Sequence, residues 1–142
     1  MKTVKEIDLV LKNEPGRLSL VSELLGANGV NIIAFYVSTS AKEGKLRFVA
    51  NDPEKAINVL KTAGYIIKMQ EVIACETPHH PGGMNAILKP LKTADINVDY
   101  IYPCIGTSDN TVLIIGVGPV EEVLKIMEDN WIRVLGSEVY NI

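Results

Sequence analysis

The sequence predicts an α+β fold of two tandem ferredoxin-like βαββαβ units, each an antiparallel sheet with helices on one face. Three observations lead there. Positions 66 apart correspond: Pro15-Gly16 with Pro81-Gly82, Leu25 with Leu91, Asn31 with Asn97, Tyr36 with Tyr102 and Pro53 with Pro119, as if one unit were duplicated without insertions. A repeat of that length is a domain rather than a solenoid turn. Within each copy, hydrophobic periods of 2 and 3.6 alternate in the order strand, helix, strand, strand, helix, strand.

The elements of the first copy follow from period and punctuation. Ile7, Leu9 and Leu11 alternate with Asp8, Val10 and Lys12 as a half-buried strand that stops at Asn13-Glu14-Pro15-Gly16. Leu18, Val21, Leu24, Leu25 and Asn28 keep helical spacing, and Gly29 stands where a left-handed cap belongs. Ile32 to Thr39 is a second strand. Lys42-Glu43-Gly44 is expected as the hairpin turn, with Leu46, Phe48 and Ala50 on one side of the third strand. Asp52 caps a second helix, Pro53 takes its first position, and Ile57, Leu60 and Ala63 lead to Gly64. Tyr65 to Met69 is the fourth strand.

In the second copy the strands are expected at Val72 to Glu76, Val98 to Ile105, Thr111 to Val117 and Trp131 to Leu135. Its helices are expected near Gly83 to Ala94 and Val120 to Asp129. Asp95 and Asn130 replace the two helix-ending glycines and are expected to take positive φ. The chain divides into residues 1–70 and 71–142. Almost no loop separates the units, because the stretch from Gly64 to Glu76 reads as nearly continuous strand. At the far end Glu138-Val139-Tyr140-Asn141-Ile142 is expected as an extra strand completing a sheet edge.

Composition narrows the function classes. With 47% hydrophobic residues, 22% charged residues and a net charge of −3, the chain has no basic face for nucleic acid or anionic lipid. No apolar run approaches the roughly 20 residues of a membrane span, and the N-terminus lacks the apolar core of a signal peptide, so a cytoplasmic protein is expected. Cys75 and Cys104 are isolated and suit a reducing compartment. No nucleophile elbow, zinc-protease motif, phosphate loop or dinucleotide fingerprint is present, so catalysis is not expected and no cofactor is implied. Gly116-Val117-Gly118-Pro119 has a superficial likeness to a phosphate loop, but its proline removes a donor.

Binding chemistry concentrates where the first strand enters the first helix. Asn13, Glu14, Pro15, Gly16, Arg17 and Leu18 place main-chain N–H groups at the positive end of a helix dipole, where a carboxylate would be held. Gly16 allows close approach to the backbone and Pro15 stiffens the turn. Asn31, followed by Ile32, is expected at the same end of the unit, and the amides of Asn13 and Asn31 could address an ammonium and a carboxylate together. The other reading stays open, in which Pro15-Gly16 is only a turn and Asn31 ties down a strand end.

The stretches Asn13-Glu14-Pro15-Gly16-Arg17-Leu18, Gly29-Val30-Asn31-Ile32 and Ser38-Thr39-Ser40-Ala41 before Gly44 resemble the ACT domain, a small-molecule regulatory module of amino-acid metabolism. They are most similar to the serine-binding regulatory domain of phosphoglycerate dehydrogenase. The resemblance covers the whole chain as two modules. It implies a ligand site at a module interface, lined here by Asn13, Gly16 and Asn31. Gly82 and Asn97 match in the second copy, where a possible second site would comprise His79, His80, Gly82, Gly83, Met84 and Asn97, with His79 in the place of Asn13.

On this reading the chain is a non-catalytic, stand-alone regulatory protein, a homodimer, that binds a small amino acid and signals to a separate enzyme. An assembly subunit without a ligand is the alternative. A metal-responsive module using His79 and His80 is the other, though their spacing from Cys75 fits no standard metal signature.

Overall fold

The computed structural model describes residues 2–107 and 110–142. Its elements, in order, are β1 (Val4–Lys12), α1 (Arg17–Ala27), β2 (Ile32–Thr39), β3 (Glu43–Ala50), α2 (Pro53–Thr62), β4 (Ile67–Thr77), α3 (Asn85–Thr93), β5 (Tyr100–Pro103), β6 (Thr111–Gly116), α4 (Val120–Asp129) and β7 (Val134–Leu135), followed by a 3-10 turn at Ser137–Asn141. The chain forms two compact units. The first is Lys5–Gln70, and the second is Glu71–Ile142 together with the chain start up to Val4.

In the first unit β3 lies between β2 and β1, antiparallel to both, with Ile7 opposite Phe48 and Phe48 opposite Phe35. Alternation puts Ile7, Leu9, Leu11, Leu46, Phe48 and Ala50 on the face that Val21 and Leu25 of α1 and Ala56 and Leu60 of α2 cover. Each large apolar side chain so buried contributes about 1.5–3 kcal/mol. The second unit repeats the arrangement with β6 between β5 and β4, and β7 on the other side of β4. Ile73, Cys75, Leu113 and Ile115 meet Ile87 and Leu91 of α3 and Val123 and Met127 of α4.

The β-ladders locate a slip in the repeat. Ile73 and Ile101 of the second unit stand 66 beyond Ile7 and Phe35, but Ile115, their partner on the central strand, stands 67 beyond Phe48. The β5–β6 connection therefore holds one residue more than its twin, and everything downstream keeps the new offset: Ala56 and Leu60 correspond to Val123 and Met127. The proline match is accidental, since Pro53 opens α2 behind the Asp52 cap whereas Pro119 is itself the cap residue of α4.

The slip also moves a helix end. All four helices close with the same pair of backbone bonds, in which a left-handed residue donates three positions back and its successor donates five back. The left-handed residues are Gly29, Gly64, Asp95 and Trp131. Asp95, with φ of 58°, is as expected, but Asn130 keeps φ of −106° and spends its side chain on the Ile126 carbonyl. Trp131 takes the strained position instead, at φ of 59°, at a cost of about 1–2 kcal/mol for a side-chain-bearing residue.

Other boundaries differ from expectation for local reasons. The hairpin turn is Ser40-Ala41-Lys42, closed by the Ser40 N–H donating to the Glu43 carbonyl, so Glu43 and Gly44 already belong to β3. β5 is four residues rather than eight, although Asp99 and Cys104 on either side of it still donate their main-chain N–H groups to Gly116 and Val112 of the neighbouring segment. β7 shrinks to two residues because the left-handed Trp131 delays entry into the sheet. The C-terminal segment is no strand. It winds into a 3-10 turn that buries Val139.

One polar group in the first unit has no twin. Asp8 lies opposite Arg47 across β1 and β3 and accepts from its Nη1 at 2.7 Å and from Gln70 Nε2 at 2.8 Å, while Glu6, wholly buried, sits 3.5 Å from the same guanidinium. At the matching places the second unit has Val72, Ala74 and Ile114. Replacing Arg47 by Met should remove the guanidinium from two buried carboxylates and lower the unfolding free energy by about 3–5 kcal/mol in denaturant titration. A loss under about 1 kcal/mol would show that the cluster is not an ion pair in solution.

Burial pushes the thiol of Cys75 up to about 12, with Cys104 adding to the shift, and the thiol of Cys104 up to about 11. Both should resist a thiol-specific disulfide reagent in the native protein at neutral pH and react only on unfolding. Rapid native-state labelling at either would contradict the buried placement. The linkage sign follows: a raised thiol pKa contributes stability that is fully present below the unfolded thiol's value of about 8.5 and is lost progressively as pH rises from there to the folded values of about 11 and about 12.

Candidate functional site

The loop between β1 and α1 is fixed before any ligand is considered. Asn13 donates its main-chain N–H to the Lys42 carbonyl at 3.1 Å and its Nδ2 to the Ser40 carbonyl at 2.9 Å, tying the loop to the β2–β3 hairpin. Gly16 then turns the chain at φ of 84°, and Gly82 repeats that turn at 83° in the second unit. Gly16 brings no side chain to cap α1, so the first N–H groups of the helix face the loop without a side-chain acceptor. Arg17 Nη2 reaches back to Glu14 at 2.7 Å, and this hydrogen bond and charge hold the Glu14 carboxyl below its ordinary range.

A cavity of about 170 Å³ opens here, entirely within the first unit. Leu11, Leu18 and Val37 supply its apolar wall, and Asn13, Glu14 and Gly16 belong to its rim. Of the residues singled out by sequence, Asn13, Glu14, Gly16, Arg17 and Leu18 are brought together, while Pro15 only shapes the turn. Leu11, Val37 and Thr39 were missed. Their signal was topological: with Lys12 opposite Glu43 and Thr39 opposite Gly44, the ends of β1 and β2 fall at the same end of the sheet, one on either side of β3.

Asn31 and Ile32 lie elsewhere. β2 begins opposite Ala50 and ends opposite Gly44, so its start is at the far end of the unit from the loop. Asn31 exchanges bonds with Asn51 there, its N–H donating to Asn51 Oδ1 at 2.8 Å and its carbonyl accepting from the Asn51 N–H at 3.0 Å. The expectation that helix α1 would return the chain to the loop had the direction reversed, because α1 carries it away. Ile32 packs on the core.

In the second unit, His79 and His80 are exposed, and His80 Nδ1 lies 2.9 Å from the Pro81 carbonyl oxygen. Gly83 is there for space: a Cβ would sit 2.0 Å from the Pro78 carbonyl oxygen, and the Gly83 carbonyl accepts from Thr77 Oγ1 at 2.7 Å. Gly82 lines an open groove of about 570 Å³ with Asn85 and Lys89, Met84 is half exposed at the entry to α3, and Asn97 is at the opposite end beside Asp99. Those six residues do not converge. Among the described residues, no three His, Cys, Asp or Glu side chains cluster to hold a metal.

Comparison with known proteins places this geometry. No curated protein matches the sequence. The solved structure of protein BT0572 from Bacteroides thetaiotaomicron superposes with a TM-score of 0.92 at 23% identity, over 99% of this chain and 98% of that one. The ligand-free regulatory subunit of aspartate kinase from Thermus thermophilus gives 0.65 at 13% identity, over 92% and 93%. The corresponding subunit from Thermus flavus gives 0.60 at 13%, over 92% and 94%. A family model described as an ACT domain pair matches residues 2–138, and with two βαββαβ units in the order described the chain belongs to that family of regulatory modules.

Proposed function

We propose that this protein is a non-catalytic regulator that binds a small free amino acid at the Asn13–Leu18 loop of its first unit. The observation that carries this reading is the 170 Å³ cavity, which sets an apolar wall beside a helix start without a side-chain cap and a pair of opposite charges, Glu14 and Arg17. A ligand carboxylate suits the N–H groups and Arg17, an ammonium suits the ionised Glu14, and a short aliphatic side chain suits Leu11, Leu18 and Val37. The cavity is smaller than the roughly 300–1,000 Å³ of sites for drug-sized molecules, which favours a ligand of few atoms.

A ligand of this kind acts as a signal only by binding one state of the protein better than another. Two solved neighbours of this fold are described as regulatory subunits of aspartate kinase. In the same spirit the listener here is a separate enzyme of amino-acid metabolism, and the protein works as a cytoplasmic homodimer.

Thermal denaturation against the twenty amino acids should show a raised melting temperature for small neutral ones, since a ligand at 100 times its dissociation constant contributes about 2.7 kcal/mol. No rise with any of the small neutral amino acids would defeat the proposal, whatever larger ones do. Leu18→Glu separates the site from general stability: a carboxylate in the first turn of α1 favours the helix yet repels a ligand carboxylate, so the melting temperature should hold while the ligand response falls at least tenfold in affinity. Asn31→Ala should leave that response unchanged. If Asn31→Ala removes it and Leu18→Glu does not, the ligand lies at the other end of the unit.

A further inference from the structure

Trp131 is out of place by every folding criterion. It holds the left-handed helix-ending position that its twin fills with Gly64, a conformation that is an outlier for a bulky residue. Its side chain gains no packing in return, being 96% exposed. The fold demands the left-handed turn but not a tryptophan to make it, and a bulky residue that bears this strain without packing points to function.

Trp131 borders a cavity of about 330 Å³, built wholly from the second unit and about twice the volume of the Asn13–Leu18 site. Pro78, Ala86, Ile87 and Ile132 give it an apolar lining. Glu76 and Arg133 stand at its edge as an ion pair at 3.0 Å, with side chains 23% and 66% exposed. The first unit offers no copy of this pair, since Val10 stands where Glu76 stands and Ile66 where Arg133 stands.

We propose that this cavity is a second ligand site, independent of the first, for a larger zwitterion with an aromatic side chain. The ring stacks on the indole of Trp131 over the apolar lining, the ammonium faces Glu76, and the carboxylate faces Arg133. Neither His79, His80 nor Asn97 takes part.

The chain contains one tryptophan, so its emission reports the site directly. L-phenylalanine is the probe. It should change the emission saturably in the native protein and equally in Leu18→Glu, which alters only the first site. Phenethylamine and 3-phenylpropionate, each lacking one charge, should bind more weakly. Trp131→Gly restores the residue of the twin and should melt no lower than the native protein, yet by calorimetry bind L-phenylalanine about tenfold more weakly, the loss expected of one stacking contact. The proposal is overturned if L-phenylalanine leaves the emission unchanged at millimolar concentration, if Trp131→Gly binds it as well as the native protein does, or if Leu18→Glu abolishes the change. The melting response to small neutral amino acids is a separate measurement, so the first site stands or falls on that response.

Discussion

Each of the four helices must leave the sheet it covers, and each does so through a single left-handed residue. That constraint orders the rest of the structure. The left-handed turn lets two backbone donors close the last carbonyls of the helix, and it redirects the chain so that the next strand enters in register. Val30, Tyr65, Ile96 and Ile132, the residues just past the turn, make the second of those bonds and pack on the core or beside it. Positive φ is therefore a fixed demand, and residue type is what varies around it: glycine twice, then aspartate, then tryptophan.

That demand explains why so much of the fold was legible in the sequence. Gly29, Gly64 and Asp95 announce their helix ends, and Asp52 with Pro53 announces a start, its carboxylate accepting from the Lys55 N–H as a cap should. The alternation of Ile7, Leu9 and Leu11 against Leu46, Phe48 and Ala50 fixes one sheet face without knowledge of the pairing. What stayed hidden depended on through-space register. A single added residue between β5 and β6 leaves the hydrophobic pattern intact on either side, so only the ladder shows that Phe48 answers to Ile115 and not to Ile114. The accidental Pro53 and Pro119 match concealed it. The site suffered likewise, because Asn13 and Asn31 are close in motif but stand at opposite ends of the unit, and direction along α1 decides that.

The two units also differ in what their sheets carry on the side away from the helices. Asp8, Glu6 and Arg47 form an ion-pair cluster in the first unit, where Ala74, Val72 and Ile114 are apolar in the second. Burying two carboxylates against one guanidinium is a poor route to stability, since desolvation offsets most of the attraction and an apolar trio of similar volume does as well or better. The second unit shows that the fold tolerates the apolar solution. What the ionic version ties down is the pairing itself: Asp8 meets Arg47 because the two stand opposite in the observed register of β1 and β3, and a slip of one residue would turn them to opposite faces.

Divergence of the loops follows from the same backbone rule. Gly16 and Gly82 hold nearly identical φ, so the turn into the first helix of each unit keeps its shape, yet the atoms presented by it differ. In the first unit Asn13 spends its side chain fastening the loop to the hairpin, which leaves an open notch between Leu11, Leu18 and Val37. In the second, Thr77 fastens the loop inward to the Gly83 carbonyl, and the absence of a Cβ at Gly83 lets Pro78 close over it. Pro78 and Thr77 instead line a cavity that Trp131 borders. A duplicated scaffold thus keeps its turns, at Gly16 and Gly82, while the side chains around them set how much room each loop leaves and which residues line it.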